Sequence, residues 1–235
     1  MKLSQKIGKL FDGSGIKSCS EGIYRLTHPV SPQKVYAEMD LEGLDRLKQK
    51  YFVPGEETHW PKYVEAERWV PMNIRRAQFL RLNKRPKPLR IFDIGSGGGY
   101  FLLTARALGH RGVGLDIAEP PMYQEMFDLF KLKRLTHRIE AYQPLPDLGE
   151  RFDMMTGFSI CFNAHNTKKV WGPKEWEFFM RDLKTRFLKP DGEIFFGMNP
   201  ESDGTFYTPG LREFFIQRGA EIDRSKVWFK SLDKI

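Results

Sequence analysis

Cysteine is scarce: the 235-residue sequence has two, Cys19 and Cys161, far apart. That excludes a disulfide framework and any cysteine-based metal-ligand spacing, and it suits a reducing cytoplasm. No apolar run approaches the ~20 residues that a membrane-spanning helix requires. Lys2, Lys6 and Lys9 lie near the start, but Gly8, Asp12 and Gly13 interrupt any apolar stretch, so no signal peptide is readable. Internal repeats and low-complexity tracts are lacking too. A soluble intracellular protein is the expectation.

What is present suits a folded α/β protein. Hydrophobic residues make up 40% of the chain and aromatic residues 14%, enough for a sizeable core. The net charge is +8, and it is unevenly placed. Residues 1–90 hold 18 Lys+Arg against 10 Asp+Glu; the remainder holds 20 of each. The excess is densest at Arg75, Arg76, Arg81, Lys84, Arg85, Lys87 and Arg90. Such a patch can meet nucleic acid, an acidic substrate or an anionic membrane surface, or be only a solvated helix face.

Residues 1–85 read as a helical extension. Residues 1–30 show little periodicity and are expected to be a loose arm. Ser31-Pro32 resembles an N-cap followed by proline at the first helical position. Asp40 can cap a second helix with Leu41, Leu44, Leu47 and Tyr51 on one face. A third helical region spans about Lys62 to Leu82, and Pro71 is expected to divide it. Residues 84–88 form a polar, proline-punctuated joint.

Beyond the joint, residues 86–235 alternate strands and helices. Leu89–Ile94 is the first strand, Tyr100–Leu108 the first helix, Gly112–Asp116 the second strand and Pro121–Lys131 the second helix. His137–Glu140 is a weak third strand, Phe152–Phe158 the fourth, and Trp176–Leu188 a helix. Lys189–Gly192 is a turn into a fifth strand, Glu193–Met198. Helix Leu211–Arg218 and a strand near Ile222–Lys230 finish the pattern. Such alternation predicts a doubly wound, mostly parallel sheet with helices on both faces, whose ligands bind beyond the carboxyl ends of the strands.

The sharpest motif is Phe92-Asp93-Ile94-Gly95-Ser96-Gly97-Gly98-Gly99-Tyr100. A glycine-rich turn between strand and helix lets backbone approach a ligand closely. Asp116 ends the second strand, where a carboxylate can accept from both ribose hydroxyls. Dinucleotide-binding proteins want a small residue at the third glycine of G-x-G-x-x-G, but Tyr100 stands there. The spacing is acid-x-Gly-x-Gly-x-Gly instead, and a carboxylate beside it would repel a pyrophosphate.

This resembles the first motif of class I S-adenosylmethionine-dependent methyltransferases, and residues 89–235 follow that family's order. The resemblance implies a Rossmann-like, seven-stranded sheet and S-adenosyl-L-methionine as cofactor. It places Asp93, Gly95, Ser96, Gly97 and Gly99 around the methionine part. Asp116 falls at the ribose, and Ile117, Ala141 and Tyr142 at the adenine. Phe152-Asp153 through Phe158 resembles the fourth motif, and Leu188-Lys-Pro-Asp-Gly192 the L-x-P-G-G turn. The family's usual acid is missing at Ala141-Tyr142, so backbone or Gln143 would make the adenine amino contact.

Methyl transfer to a hydroxyl or ammonium also needs a proton removed. His165, on the loop after the fourth strand, titrates near neutrality and is the candidate base. Asn163, Asn166 and Asn199 are candidates for orienting the acceptor, and Trp60, Tyr63, Trp69 and Trp171 for walling its pocket. No Asn/Asp-Pro-Pro-Tyr/Phe follows the fourth strand, which disfavours adenine and glutamine amino-methylation. Cys161 is not in a Pro-Cys setting, which disfavours cytosine carbon-5 methylation, and no acid cluster suggests a metal site. The expected reaction is methylation, at oxygen, of a small molecule or saccharide. RNA methylation using the basic patch and a non-catalytic cofactor-binding module are the competing readings.

Overall fold

The computed structural model describes residues 14–52, 60–160, 171–200 and 204–235. Seven strands form one sheet: β1 (Arg90–Ile94), β2 (Arg111–Asp116), β3 (Lys133–Thr136), β4 (Phe152–Ile160), β5 (Leu188–Met198), β6 (Glu221–Asp223) and β7 (Lys226–Phe229). Their order is β3-β2-β1-β4-β5-β7-β6. The first five in that order are parallel neighbours, and β7 pairs antiparallel with β5 and β6. Strand order reverses between β1 and β4, so a crevice opens at their carboxyl ends.

β1 reads Arg-Ile-Phe-Asp-Ile because the sheet is covered on both faces. Phe92 and Ile94 point into an aromatic core under α7 (Pro173–Asp182) and α8 (Leu211–Gln217). There Trp176 is fully buried, edge-on to Phe196 at 4.9 Å and to Phe215 at 5.1 Å. Ile91 faces the other side, where α4 (Ala66–Phe79), α5 (Tyr100–Ala107) and α6 (Pro121–Leu129) cover the sheet. Outside that layer, α2 (Pro32–Tyr36) and α3 (Leu41–Tyr51) bury Val35 and Leu44 against Val70, Tyr100 and Met126. The Asp40 carboxylate accepts from the Gly43 N–H at 2.8 Å, capping α3 as the sequence suggested.

Five expectations need correction. The supposed loose arm contains helix α1 (Ser14–Thr27). Tertiary contacts hold it rather than its own periodicity: Tyr24 donates to Asn83 at 3.0 Å, and Arg81 pairs with Glu21 and lies 3.6 Å from the Tyr24 ring centroid. Pro71 does not divide α4. It removes a single bond one turn in, and the real break is at Glu65, after the 3₁₀ turn Trp60–Val64. β3 is Lys133–Thr136, not His137–Glu140. Lys189–Gly192 is not a turn before β5 but a bulge within it: Phe152 pairs with Leu188 and Met154 with Glu193, so four residues oppose Asp153 alone. Lys189 donates to the Asp153 carboxylate across it at 2.7 Å. The last strand is a hairpin, β6 and β7, turned at a left-handed Arg224 (φ 54°).

Candidate active site

The turn between β1 and α5 is built by glycine because three of its residues are left-handed. Gly95, Gly97 and Gly99 have φ of 64°, 52° and 80°, a region closed to most side chains. The turn folds over the end of β2, with the Gly95 N–H donating to Leu115 O at 2.8 Å. A Cβ on Gly98 would meet the Met126 methyl at 2.6 Å, and one on Gly99 the Phe127 ring at 2.9 Å. Those glycines seat the turn on α6. A Cβ on Gly97 would meet only Tyr123, at 3.9 Å, so the tip of the turn is its open side.

Two acids flank the turn from neighbouring strand ends. Asp93 is buried and accepts a 2.7 Å hydrogen bond from the Thr156 hydroxyl of β4. Burial pushes its carboxyl up to about 7, against the opposing pull of the Thr156 hydrogen bond and the Arg76 guanidinium. Asp116 accepts from the Gly97 N–H at 2.7 Å and the Ile117 N–H at 2.8 Å. Burial raises its pKa too, although both of those N–H groups favour the ionised form. A carboxylate offers about four lone-pair sites, so Asp116 keeps acceptor capacity beyond these two bonds. The two acids sense each other, and a cationic group beside them would lower both pKa values.

Around this core stand an arginine and an aromatic cluster. Arg76 of α4 lies 4.5 Å from the Phe158 ring centroid and within the field of Asp93. Its spacing from Met72 and Phe79, four and three residues, puts it on one helix face with them. That interruption of an apolar stripe is the signal that identifies Arg76 as a site residue beyond the motif. Tyr63 stacks on Trp69 at 5.5 Å and meets Tyr123 edge-on at 5.5 Å. Trp69 donates to the Lys62 carbonyl at 2.7 Å and stacks on Tyr100. Tyr63 and Trp69 therefore reach the open side of the turn through Tyr123. Trp171 is elsewhere, edge-on to Trp176 and Phe179 in the aromatic core. Trp60 opens the 3₁₀ turn, and its side chain lies outside the described residues.

A seven-stranded, mostly parallel sheet with this acid-flanked glycine turn at the end of β1 decides the architecture. The chain has a Rossmann-like, doubly wound fold. No protein-family model matches the sequence, and no curated protein matches it. Among solved structures it is similar to the PH0226 protein from Pyrococcus horikoshii OT3, at 14% identity and TM-score 0.47 over 71% of this chain and 92% of that one. It is similar to N-methyltransferase NodS from Bradyrhizobium japonicum WM9, at 13% and 0.45 over 68% and 95%. The SAM-bound amino pentose methyltransferase CalS10 from Micromonospora echinaspora is 22% identical, TM-score 0.42, over 60% and 58%. Likenesses at this level decide nothing about chemistry.

In this fold the remaining candidates separate clearly. Ile117 follows Asp116 at the end of β2, and the Asp116 carbonyl accepts from the His137 N–H at 2.9 Å, which brings the end of β3 alongside. Ala141 packs against the aromatic core. Tyr142 has φ 61°, is 52% exposed and donates to Glu175 at 2.6 Å. Phe158 lies at the end of β4, against Phe101 and Phe195 on the α4 side. Asn199 donates to the Ser159 carbonyl at 2.8 Å, tying the ends of β4 and β5 together. Cys161, Asn163, His165 and Asn166 lie outside the described residues. The basic patch is divided: three of its seven residues, Arg81, Arg85 and Arg90, pair with Glu21, Glu193 and Glu150. Among the described residues no group of three or more His, Cys, Asp or Glu could hold a metal ion, and no helix is long and apolar enough to cross a membrane.

S-adenosylmethionine fits these groups. The open tip at Gly97 admits close backbone contact, and the raised Asp93 and Asp116 suit a ligand that brings a cation and hydroxyl donors. Arg76 supplies a counter-charge for a carboxylate.

Proposed function

We propose that this chain is an S-adenosylmethionine-dependent methyltransferase that methylates an oxygen of a small-molecule or saccharide acceptor. The observation that carries the reading is the conjunction of three left-handed glycines with a buried and a half-buried acid, Asp93 and Asp116, at adjacent strand ends. In this reading Asp116 holds the ribose hydroxyls, and Ile117 with Ala141-Tyr142 borders the adenine. Gly95 to Gly99 with Ser96 admit the methionine part, Asp93 faces its ammonium group and Arg76 its carboxylate. Phe158 borders the reacting end. The bound cofactor would supply a methyl group already activated by the sulfonium. The chain's own residues align the acceptor, exclude water and take up its proton. Alignment is worth several kcal/mol of barrier.

His165 is proposed as the base. Its replacement by alanine is expected to lower turnover by ~10²–10⁴-fold with cofactor affinity unchanged. Unchanged turnover would remove it from that role.

The cofactor site has its own pH signature. A carboxyl with pKa of about 7 in the free protein must ionise to hold an ammonium group. Binding therefore releases a proton, and affinity rises with pH up to about 7, then levels off. Calorimetric titration with S-adenosylhomocysteine from pH 5 to 8 is expected to show up to about tenfold weaker binding per unit below 7. Asp93→Asn is expected to remove the dependence along with most of the affinity. A flat profile in the unaltered protein would separate Asp93 from the ammonium group.

A further inference from the structure

Beside the proposed cofactor site a cavity of about 740 Å³ opens at the carboxyl ends of β4 and β5, under α1 and α4. That volume is in the range of small-molecule sites. Phe158 borders it, and Arg76 stands between it and Asp93. Among the described residues five cations line it: Arg25, Arg75, Arg76, Arg224 and Lys226. The two acids among its described lining residues are already engaged, Glu21 with Arg81 at 2.5 Å and Asp223 with Lys226 at 3.3 Å. Arg25, Arg75 and Arg224, from three separate elements, have no ion-pair partner among the described residues. The adjoining cavity of about 470 Å³ is a useful contrast. Of its five cations among the described residues, Arg81, Arg85, Lys226 and Lys230 are paired, with Glu21, Glu193, Asp223 and Glu221, which leaves Lys84 against three unpaired arginines in the larger cavity. The unbalanced charge is thus concentrated where an acceptor would meet the end of β4.

We propose that this cavity is the acceptor site and that the acceptor is a small molecule carrying an anionic group, a phosphate or a carboxylate. The proposal rests on the methyltransferase reading and narrows it. Unpaired guanidinium groups lining an open cavity bind planar or tetrahedral oxyanions through charge-assisted, often bidentate hydrogen bonds. A neutral sugar or catechol can accept hydrogen bonds from these groups but brings no charge to balance them. Arg76 borders both sites, so the anionic end would sit against α1 and the β6–β7 turn with the rest of the acceptor toward β4.

The test is calorimetry on the full chain, alone and with saturating S-adenosylhomocysteine, using glucose 6-phosphate, glucuronate and glucose as probes. At least one anionic probe is expected to bind about tenfold or more tighter than glucose, and added salt should weaken it. The double variant Arg75→Ala/Arg224→Ala is expected to lose about tenfold of that affinity and none for S-adenosylhomocysteine. Both side chains are exposed, so an unchanged melting curve is the expected control. Equal binding of charged and neutral probes, no binding of either anion, or an unaffected double variant would overturn the proposal. Tighter binding of an RNA oligonucleotide that also displaces the probes would overturn it in favour of the nucleic-acid reading. If anions bind while S-adenosylhomocysteine does not, the methyltransferase reading fails and the anion site stands.

Discussion

Asp116→Ala is expected to weaken S-adenosylhomocysteine binding by about 10²–10⁴-fold, through two lost hydrogen bonds to a charged acceptor at about 1.5–3 kcal/mol each. Asp116 can have this effect because it works in two directions. It accepts from the Gly97 and Ile117 N–H groups, which fixes the turn relative to the end of β2. Its remaining lone pairs are those available to the ribose. Alanine removes both functions, while Asp116→Asn keeps one acceptor oxygen in place and should lose less. The fold should survive, because the substituted side chain belongs to no apolar cluster, and circular dichroism checks that. Undiminished affinity in a folded Asp116→Ala protein would remove the acid from the cofactor site.

The second large effect is structural and begins at a glycine outside the motif. Gly114 lies in the middle of β2, paired with Asp93 of β1. A Cβ there would meet the Phe127 ring at 2.5 Å and the Ser96 hydroxyl at 2.6 Å. Ser96 can rotate away, but Phe127 is fully buried under α6 and cannot. Gly114→Ala therefore overpacks the contact between the glycine turn, β2 and α6, at about 1–3 kcal/mol. For a chain of this size that corresponds to a melting temperature lower by about 3–10 °C. Cofactor affinity should fall as well, because Ser96 is part of the turn. Gly22→Ala is the control: it sits within α1 with no heavy atom within 4 Å of the added Cβ, and should be neutral or slightly stabilising. A Gly114→Ala protein with unaltered melting and affinity would refute this packing account.

These positions differ in how far the sequence announces them. The glycine turn is legible because its constraint is local: three positions need positive φ, and glycine is the residue that supplies it at least cost. β1 and β2 are legible for a related reason, since central strands covered on both faces must be apolar. β3 is not, because in Lys133-Arg-Leu-Thr136 only Leu135 is apolar, and an edge strand needs no more. The β6–β7 hairpin turns on Asp223-Arg224-Ser225 without a glycine, so the turn carries no mark. α1 is invisible for a different reason. What holds it, Glu21 on Arg81 and Tyr24 on Asn83, lies some sixty residues away in sequence.

The basic patch carries the same lesson. Composition groups Arg75 through Arg90 as one surface, and their partners are spread from Glu21 to Glu193. Only the folded chain separates Arg81, Arg85 and Arg90, which are neutralised, from Arg75, which faces the cavity beside β4 with Arg25 and Arg224. Those last three are distant from one another in sequence. Asp93 is a milder case. Its motif position is plain, but its burial against Thr156, and the raised pKa that follows, needs β4 in place.

The central claim is that an acid-flanked glycine turn in this chain holds a sulfonium nucleoside. Its most direct test is calorimetric titration of the unaltered protein at pH 8 with S-adenosylmethionine, and in parallel with NAD and FAD. The account predicts saturable one-to-one uptake of S-adenosylmethionine and none of either dinucleotide. Uptake of a dinucleotide with no heat from S-adenosylmethionine would contradict it.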